Sequence, residues 1–333
     1  MKILILAAIF FGLGTTILRA EDKYFAKVSF HVITDQGTPV ENAEVGVTTF
    51  SYWKPGDNFG REVFEDTKGS TDKDGNVVLS FQCVRGDFFY GAKAGKEFYE
   101  TSGSKYMFSG VKDGQFNPWN PTIDLVLKPK LNPIPMYARI VGELPSLLEL
   151  PEVGKPVGFD LMASDWVAPH GKGTVADFVF KIERRFTSVQ EPFEATLTLS
   201  FSNKGDGIQA VFAPPFIGSA LRLPRFAPEN GYAPELAKRI ARPAAGAPME
   251  QAFREDQNYF FRVRTVLDKK GKIVSALYGK IDRDFRFGIF KSKTASILFT
   301  YYLNPNANNR NMEFDPKQNL LTGLPDSQRP SSP

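Results

Sequence analysis

The chain has 333 residues, of which 42% are hydrophobic, 23% are charged and 13% are aromatic. This composition is ordinary for a folded protein and excludes a disordered, collagen-like or polytopic membrane chain. The formal net charge of +4 is small for this length and gives no electrostatic footprint for nucleic acid. Length alone favours two domains.

The first 20 residues have the pattern of a secretory signal peptide. Lys2 precedes an apolar run at 3–13, and the small residue Ala20 ends the segment before Glu21. We predict cleavage after Ala20 and export to the periplasm or the extracellular space. No later stretch approaches the roughly 20 apolar residues that a spanning helix needs, so we expect no integral membrane segment after signal removal.

Strand patterns dominate the region that follows. Apolar residues alternate with polar ones in two runs, which is the period of half-buried strands: Ala26, Val28, Phe30 and Val32, then Val77, Leu79, Phe81 and Cys83. Cys83 is the single cysteine, so the chain forms no intramolecular disulfide. Its place on an apolar strand face predicts a buried thiol that acts as a small hydrophobic side chain.

Two short blocks in this region carry a family resemblance. Residues 37–45 read Gly-Thr-Pro-Val-Glu-Asn-Ala-Glu-Val, and 70–77 read Ser-Thr-Asp-Lys-Asp-Gly-Asn-Val. They resemble the carboxypeptidase regulatory-like family, which has a transthyretin-like Greek-key sandwich, and the resemblance covers about 24–128. It implies an accessory or structural module with no peptidase residues of its own. The second block predicts a tight hairpin turn in which Gly75 takes a positive φ.

The remainder of the chain also indicates strands. Alternating apolar runs at 178–182 and 193–201 predict an antiparallel sheet with one buried face. One short helix is predicted after Pro234, with Leu236 and Ile240 on one side and Pro243 as its stop. Lys238 would lie in the last turn of that helix.

These patterns predict an all-β protein in which a transthyretin-like Greek-key sandwich is followed by a larger antiparallel β-sandwich with one short helix. The predicted divisions are a signal peptide at 1–20, the first sandwich at 21–128, a linker at 129–136, the second β domain at 137–303 and an extended to disordered tail at 304–333. The linker is placed where prolines replace the strand periodicity.

The sequence favours no cofactor and no metal site. It contains two histidines, which are too few for a histidine-rich metal centre. Asp72 begins a run that superficially resembles a calcium loop, but Cys83 stands where such a loop needs its bidentate Glu. No phosphate-binding loop, dinucleotide fingerprint or nucleophile elbow occurs.

The segment at 165–173 is the most site-like part of the sequence. It places Asp165, Trp166, His170 and Lys172 in a glycine-bearing loop before a predicted strand. Loops held on a rigid scaffold commonly carry function, so these four residues are candidates for ligand binding. The alternative is architectural: Trp166 plugs the end of the sandwich and the glycines shape the turn.

Three aromatic residues in the first domain are further candidates for ligand binding. Tyr52 and Trp53 lie in a long loop predicted at 51–70, and Trp119 lies in a loop near the end of the domain. Exposed flat rings beside polar groups suit sugar faces or a protein partner. The alternative is that the tryptophans fill the seam between the domains.

We therefore interpret the chain as an exported, non-catalytic binding or assembly protein whose partner is a glycan or an envelope or extracellular protein. The alternative is a carbohydrate-active enzyme, or a carbohydrate-binding protein, that uses the first domain as an accessory module. An enzyme would gather carboxylates in a concave site with Trp166 or His170 at its rim. A binding protein would present aromatic residues on an open face. Self-assembly through edge strands is a third hypothesis.

Overall fold

The computed structural model describes residues 22–54, 61–101, 103–142, 147–188, 190–214, 218–289 and 294–333, without the side chains at 53 and 61. The predicted signal peptide at 1–20 lies outside these residues. The fold is nearly all-β, and the only helix in the described ranges is a short 3-10 turn at Asp326–Gln328. No helix among these residues is long and apolar enough to span a membrane.

The first part of the chain forms two facing sheets. Its strands are β1 (Tyr24–Ile33), β2 (Glu44–Lys54), β3 (Arg61–Ser70), β4 (Asn76–Cys83), β5 (Asp87–Lys93), β6 (Ser104–Met107), β7 (Gly110–Lys112), β8 (Gln115–Asn117) and β9 (Thr122–Val126). One sheet has the order β4-β1-β8-β7, with β9 also paired to β1, and the other has the order β3-β2-β5-β6. Their apolar faces enclose a common core.

β1 has one buried face because its apolar residues alternate with polar ones. Its alternate residues from Ala26 to Val32 are almost fully buried, as the periodicity predicts. The strand pairs antiparallel with β4 and parallel with β9. Cys83 at the end of β4 is fully buried, and burial raises the pKa of its thiol to about 12. The prediction of a buried thiol that packs as a small hydrophobic side chain is confirmed.

The turn at 72–76 forms as predicted but has a different role. Asp72 Oδ1 accepts hydrogen bonds from the backbone N–H groups of Asp74 and Asn76, both at 2.9 Å, and Gly75 has a φ of 77°. The prediction of a hairpin is wrong, because the strands before and after the turn belong to different sheets. The turn carries the chain across the sandwich.

The second part of the chain forms a larger pair of sheets. Its strands are β10 (Ile134–Val141), β11 (Leu148–Glu149), β12 (Val157–Asp160), β13 (Asp165–Trp166), β14 (Phe178–Arg185), β15 (Phe193–Ser200), β16 (Gly207–Phe212), β17 (Glu235–Arg242), β18 (Glu250–Gln251), β19 (Gln257–Leu267), β20 (Ile273–Gly288), β21 (Ser296–Leu303) and β22 (Phe314–Asn319). One sheet has the order β16-β19-β20-β21-β10-β22, with β11 also paired to β21, and the other has the order β13-β12-β14-β15-β17-β18. Aromatic rings from both sheets, including Phe178, Phe261 and Phe299, pack in the core between them.

The predicted helix after Pro234 is wrong. Residues Glu235–Arg242 form β17, which pairs antiparallel with β15 from Ser200 opposite Glu235 to Phe193 opposite Arg242. The segment is rich in helix-forming Ala, Leu, Lys and Arg, yet Lys238 and Ile240 are buried with a period of two. Sheet pairing with β15 therefore overrides local helix propensity.

The stretch after Leu303 differs from the predicted extended or disordered tail. Phe314 is fully buried, and β22 pairs parallel with β10. Glu313 lies fully buried where the two sandwiches meet. Its carboxylate accepts hydrogen bonds from the Tyr99 hydroxyl at 3.0 Å and from the backbone N–H groups of Leu131 and Asn132. The segment thereby ties the first sandwich to the second.

Candidate functional site

A shallow groove crosses the outer face of the sheet β3-β2-β5-β6. Val45 and Val47 of β2 face the core, so Gly46 and its alternate neighbours face outward. Gly46 lies directly opposite Gly91 of β5, and Thr48 lies opposite Phe89. We call this feature the outer groove, and its principal lining residues are Glu44, Gly46, Thr48, Asp66, Lys68, Phe89, Gly91, Lys93 and Thr101.

The two glycines form the floor of the outer groove. A Cβ built on Gly46 would meet only Lys68 Cγ, at 4.0 Å, whereas one on Gly91 would lie 3.1 Å from Thr101 Oγ1. The absence of both side chains leaves a cavity of about 290 Å³, near the lower end of the range for small-molecule sites. Backbone is therefore accessible to a ligand at the centre of the sheet.

The rim of the groove is polar and charged. Thr48 Oγ1 donates to Asp66 Oδ1 at 2.7 Å, and the Nζ atoms of Lys68 and Lys93 lie 3.1 and 3.2 Å from Glu44 Oε1. Hydrogen bonds from Lys68 and Lys93 lower the pKa of Glu44, so this carboxylate stays ionised in mildly acidic solution. Hydrogen-bond donors and acceptors thus border the floor on both sides.

Phe89 supplies the apolar wall of the groove. Its side chain is 46% exposed, and Lys105 Nζ lies 5.7 Å from its ring centroid. An exposed aromatic ring beside hydrogen-bonding groups suits a ligand with both an apolar face and hydroxyl groups. The arrangement can bind such a ligand, and it shows no activated nucleophile.

The candidate residues of the loop at 165–173 have mostly internal roles. Trp166 is buried, with its ring centroid 5.3 Å from that of Phe159 and 6.1 Å from that of Phe180. The Asp165 carboxylate accepts hydrogen bonds from the backbone N–H groups of Trp166 and Lys172, at 2.8 and 2.9 Å. Trp166 therefore fills the core, and Asp165 closes the loop on itself.

The other two candidates in this loop lie at the surface. His170 Nε2 is 3.4 Å from Glu152 Oε1, and Lys172 is exposed. A Cβ on Gly171 would lie 2.4 Å from the carbonyl oxygen of Trp166, so the glycine is needed for the tight loop. The loop brings Asp165, Trp166 and Lys172 together through the backbone, and these contacts favour the architectural interpretation. A ligand-binding role for the four residues stays a prediction.

A buried charge cluster fixes this loop from beneath. Arg264 of β19 donates from Nε and Nη2 to the two carboxylate oxygens of Asp177, and from Nη2 to Asp160 at 3.0 Å. Asp160 also accepts hydrogen bonds from the backbone N–H groups of Thr174 and Val175. The cluster joins the two sheets of the second sandwich. Sequence reasoning missed it, because its members lie far apart in the chain.

The two carboxylates of this cluster respond differently to their surroundings. Burial is the dominant effect on Asp177 and raises its pKa, although hydrogen bonding and charge from Arg264 act against it. Burial also acts to raise the pKa of Asp160, but backbone N–H donors outweigh it and the pKa is lowered. Both carboxylates thus have their hydrogen-bond partners within the protein, which favours a structural role for the cluster.

The aromatic candidates of the first sandwich lie apart from that loop. The predicted loop at 51–70 is wrong, because β2 continues to Lys54 and pairs antiparallel with β3, which begins at Arg61. Tyr52 is 49% exposed in β2, and Trp119 is 45% exposed after β8. The backbone of Trp53 pairs with Glu62, while its side chain lies outside the described residues. Exposure of Tyr52 and Trp119 leaves both rings accessible to a partner.

The sequence reading also missed the outer groove. One of its two glycines could have been noticed in the sequence, since Gly46 interrupts the polar face of an alternating strand. The partner strand gave no comparable signal, because Phe89 stands within a run of aromatic residues.

Within the described ranges, no group of three or more His, Cys, Asp or Glu side chains is arranged to hold a metal ion.

Comparison with known proteins assigns the chain to no family. No family model matches the chain, and no curated protein matches it. Three solved structures with distant similarity are a DUF3823 family protein from Parabacteroides merdae, the full-length major pilin SpaD from Corynebacterium diphtheriae and a candidate carbohydrate-binding protein from Bacteroides uniformis.

The similarity to these structures is weak. Their sequence identities to this chain are 8%, 8% and 11%, and their TM-scores are 0.19, 0.25 and 0.17. The alignments cover 84%, 90% and 82% of this chain, and 96%, 93% and 97% of the respective structures. At these values the comparison assigns no function to the chain.

Proposed function

We propose that this chain is an exported, non-catalytic binding protein that holds part of a carbohydrate in the outer groove. The observation that carries the proposal is the cross-strand pair Gly46 and Gly91, which opens the groove beside the exposed ring of Phe89. The resemblance to carboxypeptidase regulatory-like modules supports the same role, because it implies an accessory domain.

Carbohydrate is the ligand class that best fits the chemistry of the rim. A sugar ring offers an apolar C–H face to an aromatic side chain and hydroxyl groups to polar side chains around it. In the groove, Phe89 supplies the ring, while Glu44 and Asp66 supply acceptors and Lys68 and Lys93 supply donors. An open groove also suits one unit of a longer chain.

The non-catalytic part of the proposal rests on how the charged groups are used. Glu44 is paired with two lysines, and Asp66 accepts a hydrogen bond from Thr48. A hydrolase would need one carboxyl group to keep its proton near neutral pH. The pKa of Glu44 is lowered, so this carboxyl group loses its proton more readily than an ordinary glutamate and does not suit the role of the acid.

The test is a glycan array probed with the wild-type protein and with Gly46→Val. Valine suits a strand, and its Cβ meets nothing closer than 4.0 Å, so the variant fills the groove in an intact fold. We expect binding of a subset of glycans by the wild type and an affinity loss of at least about tenfold in the variant. Phe89→Ala is expected to weaken the same glycans.

Gly110→Val is the matched control, because a Cβ on Gly110 of β7 meets nothing within 4 Å and lies outside the groove. This variant should bind like the wild type. Glycan binding that survives Gly46→Val would move the site elsewhere. A wild-type protein that binds no glycan on the array would refute the carbohydrate proposal.

A further inference from the structure

A lysine and an aspartate meet inside the second sandwich. Lys238 of β17 and Asp284 of β20 lie on opposite sheets, and Lys238 Nζ is 2.8 Å from Asp284 Oδ2. The side chain of Asp284 is fully buried and that of Lys238 is 11% exposed. In the other lysine–carboxylate pairs that the described residues show, the lysine side chain is at least 35% exposed.

The carboxyl group of Asp284 is held by two further donors. The Tyr259 hydroxyl donates to Oδ1 at 2.6 Å, and the backbone N–H of Arg254 donates to Oδ2 at 3.0 Å. Burial, together with Asp284, raises the pKa of Tyr259, so its hydroxyl keeps its proton. Donors aimed at a carboxyl group stabilise negative charge that develops on its oxygens during attack at carbon.

We propose that Lys238 and Asp284 join in an amide cross-link between the two sheets. The Lys238 ammonium gives a proton to Asp284 Oδ2, and the resulting amine attacks Asp284 Cγ to form the C–N bond. Negative charge develops on Oδ1, where Tyr259 donates its hydrogen bond. The Cγ–Oδ2 bond then breaks, and Oδ2 leaves as water with a second proton from Nζ. One amide and one water form, so no oxidant or other reactant is needed.

Two physical effects favour the amide in this location. A buried ion pair carries a desolvation penalty of several kcal/mol per ion, which a neutral amide removes. Both reacting groups are also held in contact by the folded sheets, which gives an intramolecular reaction a high effective concentration. A cavity of about 330 Å³ borders Lys238, Ala252 and Phe285 and provides a place for the released water.

The cross-link would provide a covalent tie in a chain that has one cysteine and no disulfide. It would join β17 and β20, which belong to different sheets and are 46 residues apart at the linked positions. Tyr259 acts in this scheme on the reacting carboxyl group, and Arg254 acts only through its backbone.

Mass spectrometry of the purified full chain tests the proposal. We expect the wild-type mass to be lower than the unlinked value by one water molecule. Trypsin should release a branched peptide in which 226–239 is joined to 284–286, because an acylated Lys238 is not cleaved. Lys238→Met and Asp284→Ala should each have the full unlinked mass.

Two further variants make the result specific. Lys280→Met removes another buried lysine of β20, which donates to the Met312 carbonyl and not to a carboxylate, so this variant should keep the mass deficit. Tyr259→Phe should lower the linked fraction, and an unchanged fraction would remove Tyr259 from the scheme. A wild-type protein with the full unlinked mass and only linear peptides would overturn the cross-link, and this measurement does not depend on whether any variant folds.

Discussion

Arg264 and Asp177 form a bidentate ion pair inside the second sandwich. The Nε and Nη2 atoms of the arginine lie 2.8 and 2.9 Å from the two carboxylate oxygens. Asp177 is fully buried, whereas the Arg264 side chain is 25% exposed. Removal of the arginine leaves a buried carboxylate without its cation. The loop that carries Asp165 and Trp166 depends on this pair, because Asp160 and Asp177 flank it.

Arg264→Met is therefore expected to lower the free energy of unfolding by about 3 kcal/mol, the cost of an uncompensated buried charge. Urea unfolding of the variant and the wild type gives the value. Arg262→Met is the control, because among the described residues Arg262 donates to two backbone carbonyls and lies over the Tyr232 ring but pairs with no carboxylate, so its loss should cost about 1 kcal/mol. Equal losses in the two variants would contradict a special role for the ion pair.

Gly75→Ala and Gly37→Ala form a matched pair in the first sandwich. Both glycines have positive φ, of 77° and 80°, so each substitution carries the cost of about 1 kcal/mol for a left-handed residue. A Cβ at Gly75 would also lie 2.5 Å from the Val32 carbonyl oxygen, whereas one at Gly37 meets nothing within 4 Å. We expect Gly75→Ala to lower the free energy of unfolding by at least about 1 kcal/mol more than Gly37→Ala does. Equal midpoints in urea would show that the backbone relaxes around the clash.

Lys280 predicts an alkaline dependence of stability. Burial lowers the pKa of Lys280 to about 7 from its usual 10.5, with Asp282 and Glu313 acting against the shift and Lys128 and Arg222 acting with it. Between these pH values the unfolded chain binds a proton that the folded chain has lost, so this residue makes stability rise with pH. Its contribution is at most about 1.4 kcal/mol per pH unit.

The measurement is urea unfolding from pH 7 to pH 10 on the wild type and Lys280→Met. We expect the difference in unfolding free energy between the two proteins to change with pH in favour of the wild type as pH rises. Below about pH 7 that difference should be constant, since the lysine is protonated in both states. Parallel pH profiles for the two proteins would mean that Lys280 stays charged in the fold.

Glu313→Gln should weaken the joint between the two sandwiches. Burial acts to raise the pKa of Glu313, but Arg225 and the N–H groups of Asn132 and Leu131 outweigh it and the pKa is lowered. The variant leaves the buried Arg225 without its anion, and we expect a loss of about 3 kcal/mol in urea unfolding. Tyr99→Phe removes one hydrogen bond and should cost about 1 kcal/mol.

The pH dependence gives a second readout for Glu313. A carboxyl group with a lowered pKa stabilises the fold above its unfolded pKa of about 4.5 and loses that contribution as pH falls through the folded value. Glu313→Gln should therefore show a smaller loss of stability below pH 4.5 than the wild type. An unchanged acid profile would contradict the ion pair as its source.

The sequence predicted the elements whose burial follows from local pattern alone. β1 alternates apolar and polar residues from Ala26 to Val32, β15 alternates over its whole length, and both are half-buried strands. It misassigned β17, because eight residues with good helix propensity become a strand only when β15 lies beside them. The domain boundaries and the signal peptide stay predictions.

The outer groove was beyond the reach of sequence for a related reason. Its floor exists because Gly46 and Gly91 lie opposite each other, and that register is set by pairing between strands that are distant in the chain. The Asp160, Asp177 and Arg264 cluster likewise forms only when two sheets pack. The loop at 165–173 drew attention by its composition, yet its carboxylate serves its own backbone.

The position of β1 also constrains the order in which the chain can fold. This first strand lies inside its sheet and takes β9 as a parallel neighbour, so its hydrogen bonds are complete only after residues 122–126 have been delivered. Likewise, β10 completes its hydrogen bonds only after β22 has been synthesised. A chain that emerges from its amino terminus must therefore keep two early strands from mispairing until much later segments arrive, and folding should be slow and sensitive to interruption before the last strand.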